Sequence, residues 1–144
     1  MWDELVTGHE VGLAIRLGFS LLYGFLIGIE RESRGKPAGI STHCLVIGGA
    51  ALFTSLSLAV DPNSPARIAA QVITGIGFLG AGMILKGNGG AITNLTTAAA
   101  VWFAAAIGMA VGFGWYLVAG IASVYAIVVP RIPHISKMVK TPDP

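Results

Sequence analysis

Arg67-Ile-Ala-Ala-Gln-Val-Ile-Thr-Gly-Ile-Gly-Phe-Leu-Gly-Ala-Gly-Met-Ile-Leu-Lys86 carries no charge between its two ends, and its twenty residues at ~1.5 Å each match the hydrocarbon thickness of a bilayer. It reads as a membrane-spanning helix. Ser64 offers an N-cap oxygen and Pro65 suits the first helical position, so a helix over 65–86 is signalled locally as well as by hydropathy. Yet the span holds Gln71, Thr74 and the small residues Gly75, Gly77, Gly80, Ala81 and Gly82, a poor face for lipid. Such a helix is expected to pack against other helices or to line a site.

Composition places the whole chain in the membrane class, with 54% hydrophobic and 11% charged residues among 144 and a mean hydropathy of +0.76. Four further spans are expected at about 11–29, 43–60, 95–111 and 115–129, the last stopped by Pro130. Thr7-Gly-His-Glu10 opens the first as a capping box. Asp61-Pro-Asn-Ser-Pro65 and Gly112-Phe-Gly-Trp115 are turns. The expected fold class is an all-α membrane protein, a compact bundle of about five helices over residues 1–133. A short tail over 134–144 follows, without a soluble C-terminal domain. Asp3, Glu4 and Glu10 precede the first apolar run where a signal peptide would be basic, so that run is expected to stay as a span. One cysteine, Cys44, excludes an internal disulfide, and three scattered histidines give no zinc spacing, so no metal ligand is assigned.

Charge in the loops sets the orientation. Arg31, Arg34, Lys36, Lys86, Arg131, Lys137 and Lys140 fall on one side of a five-span bundle, against Arg67 on the other and Arg16 inside the first span. The positive-inside rule then puts the N-terminus outside and the C-terminus in the cytoplasm.

Polar residues at membrane depth are the candidate functional groups. Arg67, Gln71 and Thr74 share a face of the third span, since residues three and four apart lie above one another on a helix. Arg16 forms with Asp61 a possible outer cluster; it either snorkels to the interface or pairs with Asp61 or with the third span. Arg16, Ser20, Gly24 and Gly28 recur every four residues and make one protein-facing stripe. At the inner ends, Glu30, Arg31, Thr42, His43, Asn94, Thr96 and Thr97 gather. Asn94, or else Thr93, reads as a helix cap. Glu30 at the boundary requires Arg31, Lys86, a cation or water.

Gly24-xxx-Gly28 and Gly108-xxx-Gly112 fit the small-residue helix-contact pattern. Gly75-Ile-Gly-Phe-Leu-Gly80 spells a nucleotide fingerprint, but it sits in mid-span without the required preceding strand. The basic tail is too short to argue for nucleic acid. No nucleophile and base can be paired by spacing, so no catalytic residue is assigned, and neither enzyme activity nor a cofactor is expected.

Gly28-Ile-Glu-Arg31, Ala38-Gly-Ile-Ser-Thr-His43, the long motif from Arg67 to Gly82, and Leu95-Thr-Thr-Ala-Ala99 followed by Trp102 occur in an order that resembles the MgtC/SapB family of prokaryotic inner-membrane proteins. The resemblance covers about residues 20–115. It implies a role in magnesium homeostasis and growth at low magnesium, virulence-related functions in pathogens, modulation of the membrane ATP synthase, and no enzymatic activity. The chain departs from the family pattern at Ser41, where an arginine is usual, and at Thr93-Asn94, where a basic residue and a glycine are usual. A soluble C-terminal domain is common in the family and not expected here. Two functions follow. One is a non-enzymatic protein acting through contacts with itself, as a homodimer or other homo-oligomer, or with another membrane complex. The other is a small ion transporter or channel whose third span lines the path.

Overall fold

The computed structural model describes residues 8–64, 66–86 and 92–132. Five α-helices dominate it: α1 Glu10–Ser33, α2 Ile40–Val60, α3 Ala66–Met83, α4 Leu95–Gly112 and α5 Tyr116–Val128. The first four are long and apolar enough to cross a membrane. α5 is shorter, and a 3-10 turn at Val129–Arg131 continues it through Pro130.

The bundle is built around α2 and α4. α1 packs along α2, α5 lies against α4 and α1, and α3 leans on α4 and α2 from one side. Small side chains make this closeness possible, with Ala51, Ala104 and Ala119 buried beside Ile27, Ile47, Ile107 and Val111. The outer surface is apolar: Leu45, Phe53, Phe78, Leu117 and Ile121 are all exposed, as lipid requires and water would penalise.

Four glycines set helix spacing. A Cβ on Gly24 would lie 2.6 Å from the Cys44 Cα, and one on Gly28 would collide with the Ile40 backbone, so α1 and α2 touch main chain to main chain. Gly108 meets the Ile47 carbonyl and Gly112 meets Ala51 and Thr54 in the same way across α4 and α2. Tyr23 pins the start of α5, its hydroxyl donating to Tyr116 O at 2.9 Å while Phe19 stacks on the Tyr116 ring at 4.5 Å.

Several expected boundaries move. α1 runs four residues past Ile29, and α2 starts at Ile40 because the Glu32 carboxylate accepts from Ile40 N at 2.9 Å and closes that end from outside the helix. Gly39 makes room for it, since a Cβ there would strike the carboxylate. α3 ends at Met83 and not at Lys86. Leu85–Lys86 instead forms a short antiparallel ladder with Ile92–Thr93, pairing Leu85 with Thr93 and Lys86 with Ile92. Thr7 of the expected capping box, Pro65 and the tail over 134–144 lie outside the described residues; His9 holds the N-cap position of α1 without a side-chain cap.

Candidate functional site

Glu30 and Arg31 are carried by the last turns of α1 and are buried, 5% and 1% exposed. Glu30 Oε1 takes two guanidiniums, Arg34 Nη1 and Arg131 Nε, each at 3.3 Å. Of the partners expected for Glu30, namely Arg31, Lys86, a cation or water, neither Arg34 nor Arg131 is one, and the Lys86 side chain lies outside the described residues. Because α1 continues through Ser33, Arg34 stands one turn beyond Glu30, and the end of α5 arrives beside it. Arg34 Nη1 also donates to Pro130 O at 2.8 Å, so the polar end of α1 clasps the end of α5.

Arg31 points the other way. Its Nη2 donates to Thr97 Oγ1 at 3.0 Å, a buried bond joining α1 to the first turn of α4. Glu30 supplies the negative charge that acts on this buried guanidinium. His43 is fully buried on the first turn of α2, its Nδ1 donating to Gly39 O at 2.9 Å. Thus Glu30, Arg31, His43 and Thr97 converge on one end of the bundle, each from a helix terminus.

The other members of the inner group stand apart. Thr96 is exposed and Thr42 half-buried. Asn94 occupies the N-cap of α4 but makes no side-chain cap; its backbone sits at φ 63, and its carbonyl accepts from Ala98 N at 2.9 Å. Asparagine tolerates this left-handed conformation better than most residues. The side-chain capping role read for Asn94 is therefore replaced by a conformational one.

At the opposite end the suggested outer cluster is not assembled. Asp61 Oδ1 accepts from Ser64 N at 3.1 Å, making a local turn, and no ion pair among the described residues joins it to Arg16. Arg16 is half-buried, with Ser20 Oγ donating to its carbonyl at 2.9 Å.

Arg67, Gln71 and Thr74 lie on the exposed side of α3. Around them a Cβ on Gly75, Gly77 or Gly82 would meet nothing within 4 Å, whereas Gly80 faces Ala98 of α4. Gln71 also borders an apolar groove of about 560 Å³ between α2 and α3, walled by Leu45, Phe53, Ile68 and Leu79. This face is open within the protomer. Among the described residues, no three of His, Cys, Asp and Glu are placed to hold a metal ion together.

Sequence reasoning missed Arg34, Arg131 and Glu32 as members of the inner end. The spacing of Glu30 and Arg34 was a usable sign; nothing local marks Arg131.

Residues 17–135 match the MgtC family. The chain is 47% identical over 97 residues to Protein MgtC of Salmonella typhimurium, covering 67% of this chain and 42% of that protein. It is 46% identical over 114 residues to Protein MgtC of Brucella abortus, covering 78% and 48%. It is 45% identical over 129 residues to the Putative magnesium transporter YhiD of Escherichia coli, covering 83% and 60%. The chain therefore spans roughly half the length of the curated relatives it matches. No solved structure matches it significantly. With a match running through all five helices and relatives at this identity, the chain belongs to the MgtC family.

Proposed function

We propose that this protein is a non-enzymatic component of the prokaryotic inner membrane that supports growth at low magnesium by docking α3 against a second copy or another membrane complex, of which ATP synthase is a candidate. The observation that carries this reading is the uncovered face of α3. Gln71 and Thr74 are exposed where the helix crosses the membrane, beside glycines that leave room for a close neighbour. A glutamine amide facing hydrocarbon without a partner is costly, and a helix packed on this face would supply one.

The test uses Arg67→Lys and Gln71→Leu in a strain that depends on the protein at low magnesium. Lysine snorkels as arginine does but lacks the guanidinium fork, and leucine suits lipid while removing the amide. Both variants should reach normal membrane levels and lose growth support. Full growth with both would assign this face a structural role only.

The alternative is transport, favoured by the groove that Gln71 borders and by the name of the Escherichia coli relative. Uptake of magnesium into liposomes containing only this protein would establish it in place of the docking reading.

A further inference from the structure

We infer that the groove between α4 and α5 binds one anionic phospholipid, with an acyl chain between Trp102 and Tyr125 and the headgroup phosphate on Arg131 and Arg34. The groove shares no residue with the exposed face of α3 and does not depend on the function proposed for that face. Ala99 and Ala100 of α4 and Ala126 of α5 leave a space of about 260 Å³, bordered by the exposed rings of Trp102 and Tyr125. At its deep end the Phe103 and Tyr125 rings meet, their centroids 5.5 Å apart. Thr96 and Pro130 border the other end, which opens toward the basic end of the bundle.

The size of the groove selects its occupant. A helix is about 10 Å across, so over the ~10 Å from Thr96 to Phe103 it would displace roughly three times this volume. A slender apolar chain fits instead. Trp102 and Tyr125 suit such a guest, since amphipathic rings favour the level where acyl chains meet headgroups.

The mouth of the groove supplies the charge. Pro130, which borders it, gives its carbonyl to Arg34 Nη1 at 2.8 Å, and Arg131 follows in the chain. Arg34 Nη1 and Arg131 Nε both lie 3.3 Å from Glu30 Oε1, so the two nitrogens are at most twice that distance apart and one phosphate can bridge their guanidiniums. Glu30 is buried beneath them, whereas the arginine side chains are 38% and 61% exposed and keep further N–H donors for a ligand. The headgroup is anionic and not zwitterionic for a reason of charge balance. Among the described side chains of this end, Arg31, Arg34, Lys36 and Arg131 outnumber Glu30 and Glu32. Glu30 Oε1 is engaged by two guanidiniums and Glu32 Oε1 by Ile40 N, so a headgroup ammonium would find more repulsion than pairing. Basic pockets between helices at a membrane surface bind acidic headgroups on the same physics, and the assignment holds whichever leaflet this end meets.

Fluorescence quenching in vesicles tests the site. Trp2→Phe and Trp115→Phe together leave Trp102 as the one tryptophan of the full chain. In phosphatidylcholine vesicles, phosphatidylglycerol brominated on its tails should reach half-maximal quenching at a mole fraction roughly tenfold below that of brominated phosphatidylcholine. Arg131→Gln should raise that fraction about fivefold, and Lys36→Gln, at the same end but off the groove, should leave it unchanged. Ala99→Leu, on a lipid-exposed position, should also raise it by filling the groove. Soluble glycerol phosphate should not relieve the quenching, because it lacks the tail. Equal half-points for the two lipids, or an equal shift from Lys36→Gln, would reduce the effect to diffuse surface charge and overturn the proposal. So would an unchanged half-point in Ala99→Leu, or relief by glycerol phosphate.

Discussion

Glu30 shows how much at the residue scale depends on burial. Its carboxylate side chain is 4% exposed, yet the two guanidiniums on it, Arg34 and Arg131, are 38% and 61% exposed, so each ion pair is largely screened by solvent. Arg131→Ala should cost no more than about 1 kcal/mol, the usual value of an exposed pair. Glu30→Gln should cost more, on the order of 3 kcal/mol, because Arg31 stays buried and loses the negative charge acting on it. Equilibrium unfolding in detergent measures both, and a larger loss from Arg131→Ala would contradict this account. The sequence made part of this visible. Glu30 at an apolar boundary demanded a partner, and Arg34 sits four residues on; Arg131 is 101 residues away and becomes a neighbour only after the chain has crossed the bundle four more times. Arg31 reads in the sequence as a basic residue at the inner end of the first span, and only the packing of α1 against α4 reveals that it is buried on Thr97.

Elements were legible wherever hydropathy and punctuation agreed. α4 lies within a residue of its expected limits for that reason. Errors came where hydropathy was asked to mark a helix end. The run Glu30-Arg31-Glu32-Ser33 is polar but made largely of good helix formers with an i,i+4 ion pair, so α1 carries on beyond its apolar part. Ile84, Leu85 and Lys86 are equally compatible with strand, and pairing with Ile92–Thr93 takes Leu85 and Lys86 into a ladder. The glycines divide by face in a way no spacing rule could give. Gly28 and Gly108 abut the backbone of α2, while Gly77 faces open space. Gly28→Ala and Gly108→Ala should therefore destabilise the protomer by about 1–3 kcal/mol through overpacking. Gly77→Ala should leave its melting point unchanged or raise it slightly. Equal losses at all three positions would show that helix propensity, and not contact, governs them.

For the whole molecule, the open side of α3 and the asymmetry of charge lead to two expectations. Phe78 is 86% exposed on α3, so if a second copy covers this face, Phe78→Cys in a Cys44→Ala background should form an oxidant-dependent dimer in membranes. The absence of cross-linking there and a monomer at every detergent ratio would rule out self-association and leave a different membrane partner. Orientation rests on independent physics. The Glu30–Arg131 ion pair puts the ends of α1 and α5 together, so Arg31, Arg34, Lys36 and Arg131 all belong to one end of the bundle. Arg67, at the start of α3, belongs to the other. Geometry of this kind defines two ends, and we propose from the charge bias that the basic end faces the cytoplasm, because cationic loops are retained inside. In the same Cys44→Ala background, Asn63→Cys on the loop between α2 and α3 should react with an impermeant thiol reagent added to intact cells. Ser136→Cys, beyond α5, should react only after the membrane is opened. The reverse pattern would turn the bundle over, moving the buried cluster of Glu30, Arg31 and His43 to the outer side and giving the basic residues around it some task other than holding the chain in place.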